Sequence, residues 1–158
     1  MIRFIAAIDE KRGIADDHGI PWMGKIPGDV AYFRQKTEGH ILVMGTGFYN
    51  ELSKPFTNRR NVVLTSSDEP LRPGFEKISD ADEFLRNTQE DIWVGGGAAV
   101  FASTIKHAEE LYLTLIDGDF ACTKFFPDFK DNFEQINASP DIIENGVTYR
   151  FTVWRRKS

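Results

Sequence analysis

The run DIWVGGGAAVFASTI, residues 91–105, joins a short apolar strand to a helix of small residues through three consecutive glycines. Free N–H groups and the dipole at a helix start can hold a phosphate where glycine lets the chain come close. The run is neither a dinucleotide fingerprint, because Val100 stands where a third glycine is needed, nor a Walker loop, because no Gly-Lys-Ser/Thr follows. A tight turn without any ligand is therefore an equal alternative.

Strand and helix signals alternate on both sides of this run. Short apolar runs bounded by charge, Gly or Pro predict strands over 1–8, 40–44, 60–65, 75–78, 91–94, 111–116, 133–138 and 148–154. Helices are predicted after Asp29 and over 48–54, 79–86 and 98–105, and Asn145-Gly146 predicts a hairpin. The pattern predicts an α/β fold: one domain over residues 1–158 with a central, mostly parallel twisted sheet, an antiparallel C-terminal edge hairpin and flanking helices.

Composition excludes several classes of protein. The 158 residues carry 19 Lys+Arg against 24 Asp+Glu, a net charge of −5, which argues against a nucleic-acid partner. Cys122 is the only cysteine and no Cys/His cluster has zinc-ligand spacing, so we expect no metal site and a reducing compartment. The apolar stretch Phe4 to Ile8 is too short for a signal or membrane segment. We expect a cytoplasmic monomer without membrane or nucleic-acid partners.

Residues 9–28 are rich in Gly and Pro and predict a long irregular loop, which in a compact domain is typically a lid or a binding segment. This loop and those at 45–47, 65–68 and 95–98 leave the carboxyl ends of the predicted strands, where ligands of such sheets bind. Thr46-Gly47, before the predicted 48–54 helix, offers a second anion site. Two such sites would suit a pyrophosphate.

Asp29 follows the long loop at the same sheet edge, with Trp22 and Phe33 able to wall it. A carboxylate in an apolar pocket can hold the paired N–H groups of a flat heterocycle and keep a useful proton equilibrium. The simpler alternative is a plain helix N-cap after Pro-Gly. Arg59 is either part of a cationic rim or a solvated charge at a strand end.

Several motifs, taken in order, carry a resemblance to a known family. They are Ile5-Ala6-Ala7, Pro21-Trp22, Asp29 with Phe33 and Thr37, Val43-Met44-Gly45, Arg59-Arg60-Asn61, Gly96-Gly97, Leu111-Tyr112-Leu113-Thr114 with Ile116-Asp117, and Phe126-Pro127-Asp128. Their order and spacing resemble the dihydrofolate reductases from Met1 to about Arg155.

The resemblance implies that the protein reduces 7,8-dihydrofolate to tetrahydrofolate by hydride transfer from a reduced nicotinamide, which we expect to be NADPH. This reaction supports one-carbon metabolism. It implies a catalytic group of Asp29, Trp22 and Thr114, and a substrate pocket of Ile5, Ala7, Phe33, Leu52, Phe56 and Arg59. The implied cofactor residues are Ala7, Ile14, Ile20, Gly45, Thr46, Gly47, Phe48, Thr65, Ser66, Ser67, Gly95, Gly96, Gly97, Ala98, Ala99 and Phe101, with a cis turn at Gly96-Gly97.

This sequence departs from the family pattern around the cofactor. Thr46 stands where a basic residue commonly meets the 2′-phosphate, and Ala99 where some members have Arg. The 2′-phosphate would then depend on Ser66, Ser67 and Arg60, which leaves NADH open as an alternative donor. Gly95 replaces a branched aliphatic residue and Phe101 a frequent Tyr.

Two other functions remain open from the sequence. One is a related pterin or pyrimidine reductase of the riboflavin-synthesis type, which shares the sheet and a glycine turn but has no glutamate tail for Arg59 to hold. The other is a non-catalytic pterin- or nucleotide-binding protein, suggested by Thr46, Gly95 and Ala99.

Overall fold

Each predicted strand is present in the computed structural model, which describes residues 1–158. The strands are β1 (Ile2–Ile8), β2 (Gly13–Ala15), β3 (Ile41–Gly45), β4 (Arg60–Leu64), β5 (Phe75–Ile78), β6 (Ile92–Val94), β7 (Glu110–Ile116), β8 (Lys124–Phe125), β9 (Phe133–Ala138), β10 (Ile142–Glu144) and β11 (Val147–Arg156). The helices are α1 (Pro27–Thr37), α2 (Thr46–Asn50), α3 (Ala81–Asn87) and α4 (Ala98–Thr104), the last followed by a 3₁₀ turn, Ile105–His107.

Nine strands form one sheet in the order β10-β11-β7-β1-β6-β3-β4-β5, with β9 paired to β11. Neighbours from β7 to β5 are parallel, whereas β11 runs antiparallel to β7, β9 and β10. This confirms the predicted α/β class, the mostly parallel sheet and the antiparallel C-terminal hairpin. None of the helices combines the length and apolar character needed to cross a lipid bilayer.

The sheet separates two apolar layers because successive side chains of a strand point to opposite faces. Phe4 and Ile8 of β1 belong to the larger layer, which includes Phe101 and Phe126. Ile5 belongs to the other layer, which α1 and α2 cover with aromatic side chains. The candidate site lies on this second face, at the carboxyl edge of the parallel strands.

Two expectations about local structure are wrong. The 9–28 segment is not wholly irregular: it contains β2, which pairs with β8, and its end forms the first turn of α1. The pairing partner lies more than a hundred residues away in the chain, so no local signal reveals it. Helix α2 covers Thr46–Asn50 rather than 48–54: it begins directly after β3 ends at Gly45, and its C-cap is Glu51, four residues before Pro55.

Candidate active site

Asp29 lies in the first turn of α1 and is partly buried, with its side chain directed at the sheet. Thr114 Oγ1, in the middle of β7 and 2% exposed, donates a hydrogen bond to Asp29 Oδ1 at 2.6 Å. Burial raises the pKa of Asp29, the Thr114 hydrogen bond opposes that rise, and the charge of Glu144 adds to it. The N-cap of α1 is Ile26, so the alternative that Asp29 is merely a cap is wrong.

The triple glycine lies on the same edge of the sheet as Asp29. Thr114 of β7 pairs with Ala7 of β1, and the next strand, β6, leads directly into Gly95. Because adjacent strands are about 4.8 Å apart, β7 and β6 are separated by about 10 Å. A flat ligand bound at Asp29 and a ligand bound at the glycines would therefore be neighbours across β1.

The glycines form an open backbone turn. The Gly96–Gly97 peptide is cis and Gly96 has φ +120°, a conformation that side chains rarely adopt. Gly45 N donates to Gly96 O at 2.8 Å, which joins the ends of β3 and β6. A Cβ at Gly45 would meet Val100 Cγ2 at 2.8 Å, whereas a Cβ at Gly47 or Gly97 would find no atom within 4 Å. The turn thus leaves space beside exposed backbone, as a phosphate-bearing ligand needs.

An aromatic group lines the cleft between α1 and α2. The Phe33 ring lies 6.2 Å from Phe48 and 5.7 Å from Phe56, centre to centre. A Cβ at Gly95 would lie 3.5 Å from both Phe33 and Phe48, and 3.1 Å from Leu42 Cδ1. The Phe48 ring thus borders the space that a larger side chain at position 95 would fill.

Arg59 lies near the opposite end of α1 from Asp29. Its Nε donates to Thr37 Oγ1 at 2.8 Å, and its terminal nitrogens donate to the carbonyl oxygens of Thr57 and Arg34. A guanidinium has five N–H donors, so two remain for a carboxylate. Thr37 is eight residues beyond Asp29, about 12 Å along the helix.

Arg60 does not join the site, contrary to the expectation that it helps to bind a 2′-phosphate. It begins β4 and forms a two-point ion pair with Glu76, and it also contacts Glu90. Ser66 and Ser67 follow the other end of β4, about 20 Å away for an extended chain. The sequence could not reveal the Glu76 partner, which comes from β5.

The loop predicted as a lid is fastened to the segment before β8. Asp9 is 4% exposed and accepts hydrogen bonds from Gly13 N at 2.8 Å and from Phe120 N at 3.0 Å. Trp22 is 4% exposed and meets the Phe120 ring edge-on at 5.3 Å. Burial, with the charge of Asp9, raises the pKa of Cys122 to about 11, so this thiol stays protonated.

The remaining predicted residues divide between the cleft and the core. Those at the ends of β1, β3, β4 and β6 or in the first turns of α2 and α4 are Ala7, Gly45, Thr46, Gly47, Phe48, Thr65, Ser66, Ser67, Gly95, Gly96, Gly97, Ala98 and Ala99. Ile5, Phe33, Leu52 and Phe56 share the apolar layer under α1 and α2. Phe101 packs against Phe4 and Phe126 on the opposite face, and Ile14 packs against that same layer. Ile20 packs beside Trp22.

Sequence reasoning missed two charged residues near the site. Lys77 of β5 donates to Ser67 O at 2.8 Å, which puts a cation beside the serines that follow β4. Glu144 of β10 reaches Gly28 at the start of α1. The pairing of β5 with β4 could have suggested Lys77, whereas no signal near Glu144 predicts its contact.

Comparison with known proteins agrees with this geometry. The family model described as dihydrofolate reductase matches residues 1–156. The chain belongs to the dihydrofolate reductase family. It is 31% identical over 163 aligned residues to a dihydrofolate reductase of Bacillus subtilis, covering 100% of this chain and 96% of that protein. It is 32% identical to the type A13 dihydrofolate reductase of Escherichia coli, covering 99% and 95%.

A solved structure of Enterococcus faecalis dihydrofolate reductase, complexed with NADP(H) and RAB-propyl, superposes with a TM-score of 0.89. It is 27% identical and covers 100% of this chain and 97% of its own. Family membership identifies the chain as a nicotinamide-dependent oxidoreductase that reduces 7,8-dihydrofolate to tetrahydrofolate. The resemblance inferred from the motifs is thereby confirmed.

Proposed function

We propose that the reductase uses NADPH and that Asp29, assisted by Thr114, anchors the pterin and promotes protonation of its N5. The observation that carries this assignment is the Thr114–Asp29 hydrogen bond in a partly buried pocket, two strands from the glycine turn. The two carboxylate oxygens of Asp29 would accept one hydrogen bond each from the 2-amino group and ring N3 of the pterin, Oδ1 with the lone pair that Thr114 leaves free.

Asp29 then controls the proton. Burial raises the pKa of Asp29, and the negative charge of the ionised carboxylate favours protonation at N5 of the bound pterin. Thr114 keeps Oδ1 in place, and a water molecule would carry the proton from solvent to N5. Trp22, held by Phe120, would limit access of other water to the pocket.

The cofactor residues fit a dinucleotide. The open backbone at Gly47 and Gly97 would admit the pyrophosphate, with Thr46, Ala98 and Ala99 beside it, and the Gly45–Gly96 hydrogen bond would hold the two turns together. Ala7, Ile20, Phe48 and Gly95 would bound the nicotinamide side. Phe101 and Ile14, which pack in the other apolar layer, would support the site from behind the sheet; the Phe101 ring lies 3.4 Å from where a Cβ at Gly96 would stand. When bound, the nicotinamide supplies the hydride for C6 of the pterin.

Lys77, Ser66 and Ser67 favour NADPH over NADH. Lys77 Nζ lies beside the exposed serines that follow Thr65, and a cation with hydroxyl donors suits a 2′-phosphate. Lys77 would thus take the role expected of Arg60 at the 2′-phosphate. Its charge would compensate for the absence of a basic side chain at Thr46 and Ala99. The substrate's other end, its glutamate carboxylate, would bind the two free donors of Arg59, with Ile5, Ala7, Phe33, Leu52 and Phe56 around the rings.

We also propose that the chain acts as a monomer of one domain over residues 1–158, in the cytoplasm and without nucleic-acid, membrane or metal partners. A single sheet uses strands from both ends of the chain, which supports one domain. Cys122 forms no disulfide, which suits a reducing compartment. Size-exclusion chromatography and cell fractionation test these assignments.

The direct assay mixes purified protein with dihydrofolate and either NADPH or NADH, and follows nicotinamide absorbance. We expect oxidation of NADPH that exceeds oxidation of NADH. No enzyme-dependent oxidation of either would contradict the proposal, and tight cofactor binding without turnover would favour the non-catalytic alternative. Competition by a methotrexate-like antifolate separates this reaction from that of a riboflavin-synthesis reductase.

A further inference from the structure

Helix α1, which carries Asp29, begins without a capping side chain of its own. Its N-cap is Ile26, which makes no side-chain cap, and the next residue, Pro27, has no N–H. The first available N–H of the helix therefore belongs to Gly28. Glu144 Oε1 accepts from this N–H at 3.0 Å, across 116 residues of sequence. A carboxylate from the β10–β11 hairpin thus caps α1.

The cap is built from several contacts. The Tyr149 hydroxyl of β11, on a side chain 1% exposed, donates to the same Glu144 oxygen. Asn145 Nδ2 donates to Lys25 O at 2.8 Å and fastens the hairpin turn to the segment before α1. A Cβ at Gly28 would lie 2.5 Å from Tyr149 Oη and 2.9 Å from Glu144 Oε1, so glycine is required for this approach.

We propose that Glu144 is a positioning residue for Asp29: it holds the first turn of α1 in place and adds a second negative charge beside the pocket. Asp29 follows the capped Gly28 directly, so loss of the cap would let the carboxylate shift. The consequence for catalysis rests on the proposed function, whereas the effect on Asp29 itself does not.

The negative charge of Glu144 raises the pKa of Asp29. The groups that face Asp29 are Thr114 on β7, Tyr32 on α1, Tyr149 on β11 and Glu144 on β10. Burial raises the pKa of Tyr32 to about 12 and also raises that of Tyr149, so both are neutral near pH 7. Glu144 is then the charged member of this set, and its charge raises the pKa of Asp29. Removing the charge should lower that pKa.

The decisive experiment is a carbon-detected NMR titration of the Asp29 carboxyl in the ligand-free full chain. Glu144→Gln keeps an acceptor oxygen but removes the charge, so Asp29 should titrate at lower pH than in wild type. Asn145→Gly keeps the turn, which has φ 50° at Asn145, but frees it from Lys25, so it should cause a smaller shift in the same direction. This second variant decides the matter if the first does not fold.

Two further variants complete the test. Glu144→Asp keeps the negative charge, so the pKa of Asp29 should stay close to its wild-type value. Glu134→Gln, on exposed β9, should leave the pKa of Asp29 unchanged. With dihydrofolate, Glu144→Gln should lower kcat at pH 7 about fivefold and move the alkaline fall in rate to lower pH. An unchanged Asp29 titration in both Glu144→Gln and Asn145→Gly would overturn the inference. An inactive wild type would contradict the proposed function but leave the titration decisive.

Discussion

Asp29 should lower the stability of the protein above the pH at which it ionises. Its pKa is raised in the folded state, so the native chain binds more protons than the unfolded chain between the two pKa values. The free energy of unfolding contributed by protonated Asp29 is fully present below the ordinary pKa of 3.8. It is lost as the pH rises through the pKa that Asp29 has in the folded state. A carboxylate that weakens the folded state in this way fits the functional role proposed for Asp29.

Asp29→Asn is therefore expected to melt at a higher temperature than wild type at pH 7, with the difference vanishing below about pH 4. Calorimetry across this range measures the effect. Asp141→Asn is the matched control: the pKa of Asp141 is lowered by its Arg150 partner, so its removal should bring no gain. Equal melting temperatures of wild type and Asp29→Asn at pH 7 would contradict the expected burial of charge.

Gly95 and Phe48 should be energetically coupled. Gly95→Val places methyl groups against Leu42, Phe33 and Phe48, whose nearest atoms lie 3.1 to 3.5 Å from where a Cβ at position 95 would stand, and overpacking costs roughly 1–3 kcal/mol. Phe48→Ala opens space for the new side chain, so the double variant should be more stable than the sum of the single effects predicts. Urea unfolding of the four proteins measures this coupling, and strict additivity would show that the two residues do not share a space.

Helix α1 connects the two ends of the proposed substrate site. Arg59→Ala should raise the KM for dihydrofolate about 10- to 100-fold and leave kcat nearly unchanged, because it removes a charge-assisted contact made equally in ground and transition states. Arg60→Ala is the neighbouring control, since Arg60 pairs with Glu76 and Glu90 and should affect KM little. A pterin without a glutamate tail should not distinguish Arg59→Ala from wild type; a loss of kcat with that compound would place Arg59 elsewhere in the reaction.

The elements that the sequence predicts best are those with local boundaries. The strand predicted over 75–78 is correct at both ends because Gly74 and Ser79 enclose it, and the hairpin at Asn145-Gly146 has both residues at positive φ, as its sequence requires. Strand β2 escapes prediction because it pairs with β8, which is distant in sequence, and the Glu144 contact at the start of α1 escapes it for the same reason. Local pattern cannot report a partner that only the tertiary fold supplies.

The candidate site is accessible from sequence only in part. The order of the motifs marks Asp29, Thr114 and Arg59 as site residues. Taken singly, each of them could equally have a purely structural role. Glu144 and Lys77 do not stand out because an isolated Glu or Lys on an exposed strand is usually solvated. Their contacts become visible only once the hairpin lies beside α1 and β5 lies beside β4.

The molecule as a whole uses its sheet to separate two tasks. In the proposed assignment, the carboxyl ends of β3, β4 and β6 would bind the dinucleotide through open backbone, hydroxyls and Lys77, and β7, β1 and α1 would place Asp29 against the pterin. Asp29 and the Arg59 contact at Thr37 stand about 12 Å apart on one helix. An acidic chain of net charge −5 thus directs a negative group at one end of its ligand and a positive group at the other.

The most direct test compares wild type with Asp29→Asn in single-turnover reduction of dihydrofolate by NADPH from pH 5 to pH 9. If Asp29 promotes protonation at N5, as we propose, the variant should be slower by about 100-fold or more at pH 7. The deficit should shrink as the pH falls and the substrate arrives already protonated. A ratio of the two rates that stays the same at every pH would show that Asp29 takes no part in proton supply.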